Sequence, residues 1–346
     1  MKKLVLTALA GILLLTACNN SSIRKGQYKG EDISTKAEIL KDSKLKTTQI
    51  NVDLNSPWKL YAGTSVDSID FSNPIASGNE KGIFTLDIPF LPRQYFQLTS
   101  SNGDAIFSER HLPMEGGYNF RDLGGYPTSD GRFVKWGMVF RTDDMYNLTE
   151  TDLNYLSDIG MHTVVDFRSE NEVAAAADKL PSTTKNHVLL PISPGNMNEI
   201  RYENINPAIF IDYMKLMYSS LCTEDNIIDQ YRKFFALLQD ETKIPLSFHC
   251  SAGKDRTGIG AALFLYSLGV NEDIIIQDFL LSNKYLESKY AALVAQIPEL
   301  SIASTVEAEY MQITLGSIKE NYGSVENYLE NTLNVDIAKL KSMYLY

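Results

Sequence analysis

The sequence predicts an α/β domain, a central and mostly parallel sheet flanked by helices, preceded by a small immunoglobulin-like or fibronectin-like β-sandwich. Three observations carry that expectation. Residues 46–110 consist of short runs that alternate apolar and polar side chains, separated by turns containing Asn, Pro and Gly. Residues 111–346 alternate short apolar runs with stretches of helical periodicity, the pattern of strands connected by helices. Finally, an apolar run at residues 244–248 leads through a loop containing Gly253 into an apolar, proline-free stretch that stops at Gly269, so a strand opens onto a buried helix.

Taken from the N-terminus, Met1-Lys2-Lys3 supplies positive charge and residues 4–15 an apolar stretch too short to span a bilayer, followed by Leu15-Thr16-Ala17-Cys18. This pattern resembles the bacterial lipobox. It implies cleavage before Cys18, lipidation of that residue, and a chain anchored to a bacterial membrane of the cell envelope, facing the periplasm or the exterior. Residues 1–17 are therefore read as a signal peptide and the polar residues 18–45 as a flexible tether. In the β-sandwich, residues 49–54, 58–62, 82–88, 94–99 and 105–107 read as strands, with turns such as Asn55-Ser56-Pro57 and Asn102-Gly103 between them. Trp58 is read as its core aromatic rather than a sugar-stacking platform.

In the α/β domain, residues 132–141, 161–167, 187–191 and 244–248 read as strands, and residues 149–159 as a capped helix. Helical spacing of Phe210, Met214 and Met217, and of Ile228, Tyr231, Phe235 and Leu238, predicts helices over 207–221 and 226–238. The first of these is read as ordinary packing rather than a lid. A core helix over 257–268 and a wholly helical segment from residue 272 complete the domain, with the site expected at the carboxyl ends of the strands.

The chemistry is concentrated in His249-Cys250-Ser251-Ala252-Gly253-Lys254-Asp255-Arg256-Thr257-Gly258. Backbone N–H groups curled between a strand and a helix N-terminus, with the positive end of the helix dipole, form a concavity for an anion. The residues 251–254, together with Arg256 and Thr257, are the expected phosphate-binding set, and the same field favours an ionised Cys250 sulfur. Arg256 offers a planar fork that grips two phosphate oxygens, which a lysine would not. Gly253 permits the positive φ of a tight cradle, Thr257 can donate toward the sulfur, and His249 can orient the loop. Lys254 is either a surface lysine or an additional cation for the ligand.

With these residues in place, the chain resembles the cysteine-dependent protein tyrosine and dual-specificity phosphatases, specifically the bacterial branch whose loop reads His-Cys-x-x-Gly-Lys-Asp-Arg-Thr-Gly. The resemblance extends from about residue 111 to the C-terminus through Asn119-Phe120-Arg121-Asp122-Leu123-Gly124-Gly125-Tyr126, Val164-Val165-Asp166-Phe167-Arg168-Ser169-Glu170-Asn171-Glu172 and a closing pattern around Tyr310, Tyr322-Gly323-Ser324 and Tyr328-Leu329. It implies attack of Cys250 on phosphorus, protonation of the leaving oxygen and hydrolysis of a phosphocysteine, with no metal and no cofactor. It suggests Asp255 as proton donor, with Asp143 or Asp144 as fallbacks; the alternative is that Asp255 only pins the loop. Arg168 is expected to support the loop, or else to pair with Glu170 or Glu172. Asn119, Arg121 and Asp122 are expected to tie the double-glycine turn to the domain. The implied substrates are phosphorylated proteins, with phosphoinositides or inositol phosphates as an alternative. In a different class stands a non-catalytic surface lipoprotein that binds phosphorylated ligands or glycans.

Composition narrows the field further. With 44% hydrophobic and 22% charged residues the chain is an ordinary globular protein, and its net charge of −11 disfavours nucleic acid as a partner. Only three cysteines occur, so after Cys18 and Cys250 a single thiol, Cys222, remains and no disulfide framework organises the fold.

Overall fold

The computed structural model describes residues 22–193 and 206–346. The signal peptide at 1–17 and the lipidation site Cys18 lie outside the described residues.

Nine strands form the N-terminal region: β1 Ile23–Arg24, β2 Ala37–Asp42, β3 Thr47–Val52, β4 Trp58–Gly63, β5 Ile69–Asp70, β6 Ala76–Gly78, β7 Gly82–Leu86, β8 Tyr95–Ser100 and β9 Asp104–Phe107. They make two antiparallel sheets, β1-β5-β4-β8-β9 with β6 against β4, and β2-β3-β7. Because side chains alternate along a strand, Ile39, Ile50, Val52 and Leu86 of the smaller sheet and Trp58, Leu60, Phe96 and Leu98 of the larger one enter a single apolar cluster. Trp58 is 2% exposed and donates its indole N–H to the Glu80 carbonyl at 3.4 Å.

The expected tether over residues 18–45 requires correction. Within it, β1 pairs with β5 and β2 pairs along its whole length with β3, while Ile33 and Ile39 are buried. Glu38, Lys41 and Asp42 give β2 the polarity of a linker, but burying Ile39 needs only one inward side chain.

The second region is built on β10 Arg121–Asp122, β11 Val139–Thr142, β12 Thr163–Asp166, β13 Asn186–Leu189 and β14 Leu246–His249, in the order β10-β11-β14-β12-β13. Its helices are α1 Glu150–Asp158, α2 Glu170–Ala175, α3 Pro207–Ser220, α4 Asp225–Leu238, α5 Arg256–Ser267, α6 Glu272–Gln296, α7 Ser301–Ser304, α8 Ala308–Tyr322, α9 Val325–Asn327 and α10 Ile337–Tyr344. Over the described residues antiparallel pairing predominates. Parallel pairing is confined to β11-β14, β14-β12 and β12-β13, the part of the sheet that carries the loop. Central β14 is fully buried and delivers Cys250 at its carboxyl end, directly before α5. Among the described residues no helix is long and apolar enough to cross a membrane.

Residues 132–141 are expected as one strand, yet only Val139–Thr142 is strand. The preceding stretch leaves the sheet so that Trp136 can enter the N-terminal apolar cluster, where its indole donates to the Ile106 carbonyl at 3.1 Å. Nearby, Phe133 stacks on Tyr28 at 3.6 Å between ring centroids, and the Tyr346 amide donates to the Phe133 carbonyl. Buried Arg93 completes the junction, donating to Glu109 at 3.0 Å and to Asp122 at 2.8 Å.

Candidate active site

The loop between β14 and α5 gets its shape from where its carbonyls are tied. The Asn119 amide donates to the carbonyls of Ala252 and Gly253, each at 3.0 Å, and Arg141 donates to Gly253 at 2.7 Å. Since C=O and N–H of a planar trans peptide point in opposite directions, anchoring these oxygens outward turns the N–H groups of Gly253 and Lys254 toward the concave side. Gly253 adopts φ +67°, and a Cβ there would lie 2.1 Å from the Thr142 carbonyl oxygen, so only glycine fits. Asp255 occupies the N-cap of α5 without making a side-chain cap hydrogen bond, which leaves the first amides of that helix for a ligand. Cys250 is 2% exposed at the foot of this bowl.

A buried charge cluster backs the loop. Arg121 and Arg141 both pair with Asp278, at 3.0 and 2.7 Å, and Arg121 also donates to Asn119 Oδ1 at 2.5 Å. Burial alone would raise Asp278, but the two guanidiniums overcome it and hold its carboxyl well below the usual range. Burial and the neighbouring Arg121 charge push Arg141 down to about 10, still a cation at neutral pH. These two cations against one carboxylate leave a net positive charge beneath the loop, in a setting where little water screens it.

On the open side, Arg256 is held by Glu172 through a fork of 2.7 and 2.9 Å, and Ser251 donates to the same carboxylate at 2.5 Å. Burial opposes both charges, but their pairing prevails: the Glu172 carboxyl lies well below its usual range and the Arg256 guanidinium is raised. Glu172 reaches the loop because it is the N3 residue of α2, whose capping box with Ser169 fixes the first turn. It lies at the end of the Val164 to Glu172 motif, where the sequence marks it only as a possible partner of Arg168. Glutamate three positions after a serine N-cap was the available signal.

The remaining expected residues fall into two groups. His249 and Arg168 sit under the loop: Arg168 pairs with Asp166 at 2.8 Å and with Asp178 at 2.9 Å, and His249 Nε2 is 3.2 Å from Asp178. Burial would lower His249, but the Asp178 and Asp166 carboxylates outweigh it and raise its pKa. The expected alternative, Arg168 paired with Glu170 or Glu172, does not form. Asp166, Asp178 and His187 stand close enough to share a cation, and the Arg168 guanidinium, paired with both carboxylates, is that cation. Asp255 stands at the loop rim with its Oδ1 accepting from the Tyr218 hydroxyl at 2.5 Å.

Asp122 ties the double-glycine turn as expected, accepting from the Gly124 amide and also from Arg93 and the Gly137 amide, and it faces away from the bowl because β10 sends Arg121 and Asp122 to opposite sides. Two expectations are corrected. Lys254 extends its ammonium to the carbonyls of Ala303 and Thr305, at 2.6 and 3.1 Å, instead of into the bowl. Thr257 is buried with its hydroxyl making no hydrogen bond, to the sulfur or otherwise. The fallback acids Asp143 and Asp144 are both paired with Lys289, at 2.6 and 3.2 Å, and Asp143 also accepts from the amides of Tyr118 and Asn119. Arg141, Asp278 and Tyr218 carried no local signal, since each lies outside the motif stretches and reaches the loop only through the fold.

Comparison with known proteins accords with this geometry. The model of the tyrosine phosphatase family matches residues 112–346. A Cupriavidus necator protein whose name places it among tyrosine-protein phosphatases is 32% identical over 248 residues, covering 66% of this chain and 85% of its own length. The triple specificity protein phosphatase PtpB of Mycobacterium tuberculosis is 28% identical over 266 residues, covering 64% of this chain and 93% of its own length.

Proposed function

Because this chain belongs to the tyrosine phosphatase family, a phosphomonoester hydrolase, we propose that Cys250 is its nucleophile, Arg256 its phosphate clamp and Asp255 its proton donor. The observation that carries this reading is the bowl itself: a nearly buried sulfur beneath inward-turned amides, with a guanidinium held at its edge by Glu172. In the first step the Cys250 sulfur forms a bond to phosphorus as the ester P–O bond breaks, and Asp255 gives its proton to the departing oxygen. In the second, water attacks phosphorus, its proton returns to Asp255, and the S–P bond breaks to release phosphate and restore the thiolate. Charge on the equatorial oxygens is met throughout by loop amides and by Arg256.

The substrate class we favour is phosphorylated protein, phosphotyrosine foremost. Tyr290, only partly buried and an electrostatic neighbour of Asp255, supports an aromatic phosphoester at the rim. A phosphoinositide reading would enlist Lys254, whose ammonium is engaged by two backbone carbonyls. We read the N-terminal pair of sheets as an immunoglobulin-like or fibronectin-like sandwich that holds the catalytic domain, a reading supported by their shared apolar cluster. We also read Cys18 as a lipid anchor, supported by the sequence around it.

The direct test is turnover of a phosphotyrosine peptide. Cys250→Ser should abolish it while retaining vanadate or phosphate binding, and Arg256→Ala should lose both; substantial activity in Cys250→Ser would overturn the mechanism. For the anchor, metabolic labelling with an alkyne fatty acid should mark the protein and be lost in Cys18→Ser, and unlabelled wild type would end that reading.

A further inference from the structure

Resting on the reading of Asp255 as proton donor, we propose that Tyr218 is a positioning residue for the reaction, its hydroxyl occupying Asp255 Oδ1 so that Oδ2 carries the proton to the leaving oxygen. An ionised carboxylate has two equivalent oxygens that can take up the proton, and only a proton on the one facing the ester is useful. Tyr218 removes the equivalence by donating to Oδ1 at 2.5 Å. Once the proton has left, the same hydrogen bond stabilises the carboxylate that remains, so it acts more strongly after transfer than before.

The phenol is held where it is needed. Tyr218 is fully buried near the C-terminal end of α3, its ring stacked on Tyr310 at 5.0 Å and edge-on to Phe279 at 6.0 Å. Its backbone carbonyl accepts from the Thr314 hydroxyl at 2.9 Å, which ties that turn of α3 to α8. Burial, then the charge of Asp255, raises the phenol well above its ordinary range, so it stays protonated and remains a donor. Asp255 in turn makes no cap hydrogen bond to its own helix, and its carboxylate is left to Tyr218. Its other charged or titratable neighbours are Lys254, 3.8 Å from Oδ2 but tied to Ala303 and Thr305, together with Arg256, Cys250, Tyr290 and Tyr310. None of these is a neutral donor hydrogen-bonded to Oδ1.

The experiment compares Tyr218→Phe, Asp255→Asn and the double variant on phosphotyrosine and on 2,4-dinitrophenyl phosphate, whose leaving group needs no proton. Tyr218→Phe should lose on the order of 10-fold in kcat on phosphotyrosine but less than about twofold on the activated ester, with unchanged vanadate affinity. Its alkaline limb should move to higher pH, because losing a donor to the ionised carboxylate favours the protonated form. In the Asp255→Asn background the same change should cost nothing further. Replacing Tyr218 with 2,3-difluorotyrosine, a stronger donor of the same shape, should move the alkaline limb the opposite way, which keeps the test alive if the phenylalanine variant folds poorly. Equal losses on both esters with an unmoved limb, or losses that multiply in the double variant, would overturn the role of Tyr218 while leaving Asp255 as acid. If Asp255→Asn itself falls equally on both esters, the acid assignment fails and the positioning role falls with it.

Discussion

At the scale of single residues, the site depends on pairs that fix each other. Glu172 shows this most directly, because one carboxylate holds both terminal nitrogens of Arg256 and the hydroxyl of Ser251. Glu172→Gln keeps an acceptor but loses the charge and the symmetric fork. A drop in kcat/KM of about 10- to 100-fold is expected, the cost of a misplaced clamp, and a change below about twofold would show that Arg256 orients itself. The pH dependence has a definite sign. Since Glu172 is held well below its usual range, the stability its ion pair contributes is present above its ordinary titration near ~4.3 and is lost only as pH falls through the depressed folded value. The acid limb of kcat/KM should therefore be unchanged in Glu172→Gln, and a limb that shifts would reassign that titration to Glu172. That His249, Cys250, Gly253 and Arg256 share one loop was legible from the sequence, because they lie within ten contiguous positions. Glu172 was visible only as part of a motif, since its partner lies 84 positions away.

Among elements, the short strand β10 has a large influence. Its register against β11 sets Arg121 opposite Arg141, which brings two guanidiniums onto the one carboxylate of Asp278 from α6. That cluster carries Asn119 and, through it, the carbonyls of the loop between β14 and α5. Asp278→Asn would leave two buried cations without their counter-charge. We expect a loss of about 3–5 kcal/mol of stability, measured by denaturant unfolding, together with weaker vanadate binding; a loss below about 1 kcal/mol would mean the arginines find other partners. The helices were readable as elements, because their apolar periodicity is local, as in α4 with Ile228, Tyr231, Phe235 and Leu238. β1 and β2 were not. Two residues show no period, and six with three charged side chains resemble a linker until a partner strand is present.

For the whole molecule, the boundary near residue 110 separates two sheets but not two independent bodies. Trp136 and Tyr346 pack into the N-terminal cluster, and Arg93 reaches across to Asp122 on β10. Removing the N-terminal region would expose those aromatics and leave Asp122 buried without its cation. A chain of residues 111–346 should therefore aggregate or unfold without a cooperative transition, whereas wild type should unfold in one transition by calorimetry. A soluble 111–346 fragment with wild-type kcat/KM would show the two regions to be separable.

The order of strand, cysteine, glycine, arginine and helix was determined by the sequence alone, because each step is local: an apolar run, a residue free to take positive φ, a fork of donors and a helix start. Tertiary structure decided what those residues lean on. Asn119 meets the loop across 133 positions and Tyr218 across 37, and whether Arg121 or Asp122 faces it depends on how one two-residue strand is seated in a sheet. Contacts of that kind leave no period in the chain, because they follow from how separately encoded elements pack and not from any pattern within one of them.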